Sequence, residues 1–179
     1  MRLNLVFSIA ISMLGCVTAP SPSKAAASDL PTVEYVDLQR YIGHWYEIAA
    51  LPQWFEEGCF GVQADYALRD DGKVSVVNTC YEGALDGPVK TANGVARVVD
   101  VQTNAKLAVS FFWPFEGDYW ILDLADDYSY VLVGAPDRES LWILSRTPQL
   151  DETIIEALLT KAAALGFDVT QVRRMVQAE

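Results

Sequence analysis

Apolar and polar residues alternate along most of this chain, in short runs that are separated by turn residues. The run from Cys59 to Leu68 alternates in this way, Asp70-Asp71-Gly72 is a strong tight-turn signal, and residues 74–80 form the return run. Similar runs rich in β-branched and aromatic residues cover 44–51, 92–101, 106–113, 119–124, 128–135 and 141–146. Eight short runs without helices between them predict an antiparallel meander that closes as a sandwich or a barrel.

Two segments have a different period. Asp37 to Tyr41 opens with a helix-capping residue and predicts a single helical turn before the first strand. Asp151 can cap a helix in which apolar residues recur at helical spacing until Gly166, at positions 154, 155, 158, 159, 162 and 165. One such helix after eight strands is expected to pack against the outer wall, and residues 167–175 to return as a short strand or an extended tail.

The first 15 residues have the pattern of a secretory signal peptide. Arg2 supplies one positive charge, and the apolar run that follows is too short to span a bilayer as a helix. The run ends in Met13-Leu14-Gly15-Cys16, which resembles the lipobox of bacterial lipoproteins and implies cleavage before Cys16 and acylation of that cysteine. The alternative is an ordinary secretory signal that is cleaved near residues 25–27.

A tether should follow the signal. Residues 17–28 are rich in Ser, Pro and Ala, so they cannot bury enough surface to fold, and we expect residues 16–32 to form a lipidated N-terminus with a flexible linker. Two or three acyl chains anchor a protein stably. Val17 in place of Asp implies, by the sorting pattern of these lipoproteins, the outer membrane. The folded domain is then expected over residues 33–179.

Composition excludes several classes of partner and chemistry. The net charge of −11 repels nucleic-acid phosphates and anionic headgroups, so we expect no nucleic-acid partner and no basic membrane patch. The single histidine, His44, and the three cysteines are a poor supply for a zinc site or a Ser-His-Asp triad. The sequence therefore predicts neither a metal site nor a catalytic residue, and no cofactor.

If Cys16 carries lipid, Cys59 and Cys80 remain. They flank the hairpin at Asp70-Asp71-Gly72 almost symmetrically, so antiparallel pairing brings them close enough for a structural disulfide. The alternative is a pair of free thiols, one of which is reactive.

Three motifs in order carry a resemblance to the lipocalins. Gly43-His44-Trp45-Tyr46 resembles their G-x-W-Y/F signature, Asp127 in Asp126-Asp127-Tyr128 resembles their second motif in part, and Arg146 matches the arginine of the third. Residues 33 to about 176 resemble bacterial lipocalins of the outer-membrane lipoprotein group, which are similar to apolipoprotein D. The segments 110–115 (SFFWPF) and 134–138 (GAPDR) strengthen the assignment to that group.

The resemblance implies an all-β fold: an eight-stranded antiparallel up-and-down barrel, closed at one end by the short helical turn, with one C-terminal α-helix packed outside. Trp45 would close the floor, and Arg146 would cover its indole ring by a cation–π contact. The family implies that the barrel cup binds fatty acids, lysophospholipids or similar lipids, for storage or transport at the bacterial envelope. A domain facing the periplasm and a homodimer are allowed by resemblance alone.

The cup of such a barrel is just wide enough for one small ligand. The residues expected to contact the ligand are Tyr66, Val76, Phe111, Trp120, Leu122 and, on a rim loop, Trp54 and Phe55. Arg97, Lys90 and Lys106 are weaker candidates for a lipid headgroup. Two other functions compete with binding: an enzyme that uses Cys59 or Cys80 as a free pocket thiol, and a structural envelope lipoprotein whose cup holds no ligand.

Overall fold

The computed structural model describes residues 30–178, and the expectations for the signal peptide, for Cys16 and for most of the tether lie outside this range. Eight long strands and one long helix dominate the described part. The helices are α1 (Leu38–Tyr41) and α2 (Glu152–Ala164), and the strands are β1 (Gly43–Ala50), β2 (Cys59–Leu68), β3 (Val74–Glu82), β4 (Val89–Val98), β5 (Lys106–Phe112), β6 (Phe115–Leu124), β7 (Tyr130–Gly134), β8 (Leu141–Ser145) and β9 (Arg173–Arg174).

The strands form a closed antiparallel barrel. Each strand from β2 to β8 pairs with its neighbour in the chain, and β1 pairs with both β8 and β2, which joins the two edges of the sheet. Full closure leaves no edge for another chain to extend. The predicted eight-stranded barrel is confirmed. The β3–β4 and β5–β6 hairpins extend further than predicted, since β4 starts at Val89 and β6 at Phe115.

Alternation along the strands divides the apolar residues between two cores. The inner core fills the barrel and contains Trp45, Ile121 and Val133, each 0% exposed. The outer core lies between the barrel wall and α2, where Ile155 and Leu158 of the helix meet Ile143 and Leu132 of the wall. The helix therefore packs outside the barrel, as predicted.

Local contacts fix the position of α2. The Asp151 carboxylate accepts a hydrogen bond of 2.8 Å from the backbone N–H of Thr153, which caps the start of the helix. After the helix, the Phe167 ring lies against Gly134, where a Cβ atom would come within 2.6 Å of it. Leu30, which the sequence placed in the tether, is 2% exposed and belongs to the outer core. The folded part therefore includes Leu30 and does not begin at Val33.

The last residues complete the wall beside β1. The lower half of β1 pairs with β2, whereas its upper residues Ala49 and Ala50 pair with β9. The Gln177 side chain then donates two hydrogen bonds of 2.8 Å, to the backbone oxygens of Glu47 and Val62. We call this place, where the segment 173–177 lies between β1 and β2, the seam.

The predicted disulfide between Cys59 and Cys80 is confirmed, with the two Cα atoms 5.5 Å apart. It ties the start of β2 to the far part of β3, which are already paired across the hairpin. Cross-linking two positions 21 residues apart stabilises a fold by about 3 kcal/mol, through the entropy that the unfolded chain loses. The disulfide thus strengthens the wall.

Within residues 30–178, no helix is both long enough and apolar enough to cross a bilayer.

Candidate functional site

The closed end of the barrel is built around Trp45. Its indole is 0% exposed, and the ring N–H donates a hydrogen bond of 2.9 Å to the backbone oxygen of Tyr41. The Arg146 guanidinium lies 3.8 Å from the centre of the indole ring. Gly43 has φ of +101° and lets Arg146 approach, since a Cβ atom would lie 3.3 Å from Nη1. Trp45 and Arg146 therefore form a floor, which leaves ligand contacts to the walls above.

Arg146 also ties together the chain segments that meet at the floor. It donates hydrogen bonds of 2.7–3.4 Å to five backbone oxygens, those of Arg40, Tyr41, Ile42, His44 and Tyr128. The turn that contains Asp127 reaches the same place: the Asp127 carboxylate accepts a hydrogen bond from the backbone N–H of Ser129, and the Tyr128 hydroxyl accepts one from the backbone N–H of Asp37. The three motifs thus meet at one end of the barrel.

Three of the residues expected to line the cup do belong to the inner core. Tyr66 on β2, Val76 on β3 and Phe111 on β5 pack with the interior residues. Phe111 lies against Gly94 of β4, where a Cβ atom would come within 2.9 Å of the ring. These three residues therefore lie on the inner side of the barrel wall, as expected.

Two other expected residues lie outside the barrel, and the expectation is corrected. Leu122 belongs to the outer core, and Trp120 packs against that core with its ring 4.1 Å from the Lys106 ammonium. The inward residues of β6 are Tyr119, Ile121 and Leu124. Alternation placed Trp120, Leu122 and Leu124 on one face because the register shift between Ile121 and Asp123 is not visible in the sequence.

The base of the cup is more polar than the sequence suggested. The Tyr41 and Tyr119 hydroxyl oxygens are 2.7 Å apart, and those of Tyr66 and Tyr119 are 3.3 Å apart. Burial raises the pKa of all three phenols well above its ordinary value. The hydroxyls therefore stay protonated and form a chain of donors and acceptors inside the barrel.

A carboxyl group, which sequence reasoning missed, lies in the same interior. Glu47 is 4% exposed, and within residues 30–178 its carboxyl group has no hydrogen-bond or ion-pair partner. Burial, together with the charge of nearby Glu56, raises the pKa of Glu47 well above its ordinary value. The signal was present, because Glu47 follows Trp45 by two positions on one strand and so shares its face.

Glu56 lies at the other end of the barrel. It closes the short 3₁₀ turn Trp54–Glu56, which links β1 to β2 and is partly buried at this residue. Burial raises the pKa of Glu56 to about 7, against a hydrogen bond with the Trp142 side chain that lowers it. Both carboxyl groups also raise the pKa of Tyr66. Electrostatic interactions therefore link the two carboxyl groups to each other and to the Tyr66 phenol.

Exposed aromatic side chains lie at the end of the barrel opposite the floor. The β1–β2 and β5–β6 connections reach this end because successive strands run in opposite directions. Large apolar residues in these two connections and at the adjoining strand ends are solvent-exposed to 42–91%, and they are Trp54, Phe55, Phe112, Trp113 and Phe115. We call these five residues the rim. The expected positions of Trp54 and Phe55 on a rim loop agree with this arrangement.

The basic residues proposed for a headgroup are spread over the barrel surface. Arg97 is paired with Glu116 through three hydrogen bonds, and Lys106 lies on the outer wall over Trp120. Lys90 is exposed near the start of β4 and is in register with Cys80. Of these three residues only Lys90 remains near the mouth.

Cys59 and Cys80 are joined in the disulfide, so neither of them is a free thiol in this structure. Within residues 30–178, no three or more His, Cys, Asp or Glu side chains are grouped so as to hold a metal ion. The His44 ring contacts Asp65 at 2.8 Å on the surface, away from the interior.

Comparison with known proteins agrees with this geometry. The family model of the lipocalin-like domain matches residues 36–177, and the chain belongs to the lipocalin family. It is 39% identical over 171 residues to outer membrane lipoprotein Blc of Escherichia coli (strain K12), a match that covers 96% of this chain and 95% of that protein. It is 39% identical over 129 residues to bovine apolipoprotein D, covering 67% of this chain and 66% of that protein.

Solved structures show the same fold at lower identity. Insecticyanin from the tobacco hornworm Manduca sexta superposes with a TM-score of 0.68 at 23% identity, and the match covers 84% of this chain and 86% of that one. The chain therefore belongs to a family whose members generally bind small hydrophobic ligands.

Proposed function

We propose that the protein is a lipid carrier at the bacterial outer membrane, which binds one fatty acid, lysophospholipid or similar lipid in its cup. The observation that carries this proposal is the asymmetry of the barrel. One end is sealed by Trp45 and Arg146, and the other is surrounded by exposed aromatic side chains, so an acyl chain has one way in. The inner core offers that chain apolar walls.

An acyl anchor on Cys16 would hold the barrel at the membrane, with the domain in the periplasm. Similarity to bacterial proteins that are called outer membrane lipoproteins supports this placement. Cells that are fed labelled palmitate should incorporate the label into the protein, and the Cys16→Ala variant should not. Equal labelling of both proteins would contradict the anchor. The homodimer that the resemblance allows stays a prediction.

The rim would be the surface through which lipid enters from a bilayer. Tryptophan and phenylalanine side chains favour the boundary between water and lipid, and solvent exposure of all five rim residues leaves them free to insert. A net charge of −11 argues against attraction to anionic headgroups, so apolar contact is the attraction that remains.

Replacing Trp113 and Phe115 together by serine should therefore slow lipid uptake by about tenfold, since each exposed ring contributes apolar area to the membrane contact. The measurement is the rate at which a fluorescent lysophospholipid leaves vesicles for the full chain. The matched control replaces Val99 and Val101, which are 50% and 77% exposed in the β4–β5 connection at the opposite end. If the wild-type chain takes up no lipid at all, the carrier function itself is wrong, whereas equal slowing by both variants would contradict only the role of the rim.

A further inference from the structure

We propose that the hydroxyl groups of Tyr41, Tyr66 and Tyr119 form a polar subsite at the base of the cup, which receives an uncharged oxygen group, a hydroxyl or a carbonyl, at the buried end of a lipophilic ligand. This inference rests on the proposed function and narrows it, because it names the chemistry of the ligand end that lies deepest. We call these three side chains the tyrosine layer.

The tyrosine layer crosses the interior of the barrel next to the floor. Tyr66 on β2 and Tyr119 on β6 belong to opposite walls, since β3, β4 and β5 lie between them on one side and β1, β8 and β7 on the other. Their ring centres are nevertheless only 6.2 Å apart, and the Tyr41 ring of α1 stacks on Tyr66 at 6.1 Å. Tyr41 also contacts the Trp45 ring of the floor, at 5.3 Å between ring centres. Three separate elements therefore bring their phenol rings together where the cup ends.

Hydrogen bonding within the tyrosine layer leaves one donor over. The Tyr119 hydroxyl is hydrogen-bonded to those of Tyr41, at 2.7 Å, and Tyr66, at 3.3 Å, and within residues 30–178 none of the three has another partner. Two hydrogen bonds use two of the three O–H groups, whichever way each bond runs. Burial raises the pKa of each phenol, so all three keep their protons. The remaining O–H needs an acceptor, because a donor left unpaired in a protein interior is costly.

The tyrosine layer is closed on its floor side and accessible from the cup. Trp45 and Tyr41 on the floor side are 0% and 4% exposed. Tyr66 and Tyr119 are half-buried, although both pack with the inner core. Because the floor side is closed, the surface that these two rings leave accessible faces the inside of the barrel. Val76, in register with Tyr66, is buried and apolar, so a ligand end that reaches the layer meets hydroxyl groups beside an apolar wall.

An uncharged oxygen is the ligand group that matches one spare O–H beside apolar walls. A methyl end would leave the O–H unpaired. A carboxylate would bring a charge into the interior, where burying a charge costs far more than burying a hydroxyl or a carbonyl. The Arg146 guanidinium is not free to pair with it, because it lies on the Trp45 ring and already donates hydrogen bonds to backbone oxygens.

The test changes only the buried end of one ligand. Dodecanoate, 12-hydroxydodecanoate and dodecanedioate share a carboxylate head and a chain length, and the far end is a methyl group, a hydroxyl group or a second carboxylate. Each is titrated by calorimetry at pH 8 into the full chain held in vesicles of an uncharged galactolipid, with protein-free vesicles as the blank. We expect 12-hydroxydodecanoate to bind about fivefold more tightly than dodecanoate, and dodecanedioate to bind most weakly.

Replacing Tyr66 and Tyr119 together by phenylalanine removes both hydroxyls that face the cup and keeps their rings, whereas a single replacement would still leave a spare O–H. The preference should then reverse, with 12-hydroxydodecanoate about tenfold weaker than dodecanoate, because its hydroxyl group would be buried without a partner. The matched control replaces Tyr46 and Tyr130 by phenylalanine. These residues pack with the outer core, so the control should keep the wild-type preference. Circular dichroism checks that both variants fold.

The outcomes separate this inference from the function on which it rests. If 12-hydroxydodecanoate binds the wild-type chain no more tightly than dodecanoate, the subsite is wrong and the carrier stands, whereas binding of none of the three probes overturns the carrier. Tightest binding by dodecanedioate would overturn the uncharged group. A preference that survives in the folded double phenylalanine variant would overturn the role of the tyrosine layer. Equal weakening of dodecanoate and 12-hydroxydodecanoate in that variant would place their shared carboxylate at the base and overturn the proposal.

Discussion

Replacing Trp45 by alanine is expected to lower the free energy of unfolding by about 4 kcal/mol, the largest effect of any single change that we consider. The substitution removes a fully buried indole, its hydrogen bond to the Tyr41 oxygen and the ring beneath the Arg146 guanidinium. The cavity would open at the floor, where the three motifs meet. Thermal unfolding followed by circular dichroism should show a drop in Tm of about 10 °C.

The matched control is Trp113→Ala, which makes the same chemical change at a ring that is 91% exposed. It should leave Tm nearly unchanged, since exposed side chains contribute little to the folded state. A similar loss of stability in both variants would contradict the assignment of Trp45 as the residue that closes the floor.

Raising the pH from 4.5 to 7 is expected to destabilise the fold, because Glu47 and Glu56 hold their protons more tightly in the folded chain than in the unfolded one. The pKa of Glu56 rises from 4.5 to about 7, and that of Glu47 also rises well above 4.5. The folded state then binds more protons throughout this window, so stability that is fully present below pH 4.5 is lost as the pH rises through the folded pKa values. Glu56 alone accounts for about 3 kcal/mol of this loss.

Measurements of Tm between pH 4.5 and 8 test whether stability falls as the pH rises and whether Glu56 is the cause. Glu56→Gln should flatten the pH dependence, since the amide carries no charge at any of these pH values and also relieves Glu47. Glu57→Gln provides the control, because this neighbour is exposed. A pH profile of Glu56→Gln with the same slope as the wild type would contradict the prediction.

Sequence patterns were sufficient for the barrel and its floor because both depend on features with a strong local signal. Alternation and turn residues located all eight long strands. The three motifs, in their order along the chain, located Trp45 and Arg146 at one end. The disulfide followed from antiparallel pairing across one hairpin. In each of these cases the geometry depends on residues that are close in sequence or that pair in regular register.

The interior of the cup was harder to predict because it depends on details of register and on loops. One shift between Ile121 and Asp123 was enough to move Trp120 and Leu122 to the outer wall. Glu47 could have been assigned to the interior because it follows Trp45 by two positions on the same strand. An acidic residue in a strand, however, more often lies on a solvent-exposed face. Nothing local in the sequence shows that Glu56 is half-buried, because its chain neighbours Phe55 and Glu57 are both exposed.

The seam has a consequence for the order in which the molecule assembles. Gln177 bridges backbone oxygens at positions 47 and 62, so a contact between residues 130 positions apart completes the wall beside Glu47. Contacts between such distant residues form slowly, because a long loop must close before they contribute any stabilisation. Nearly the whole chain must therefore be present in the folding compartment before the wall around the cup is complete, so a lipid that arrives earlier meets an open sheet.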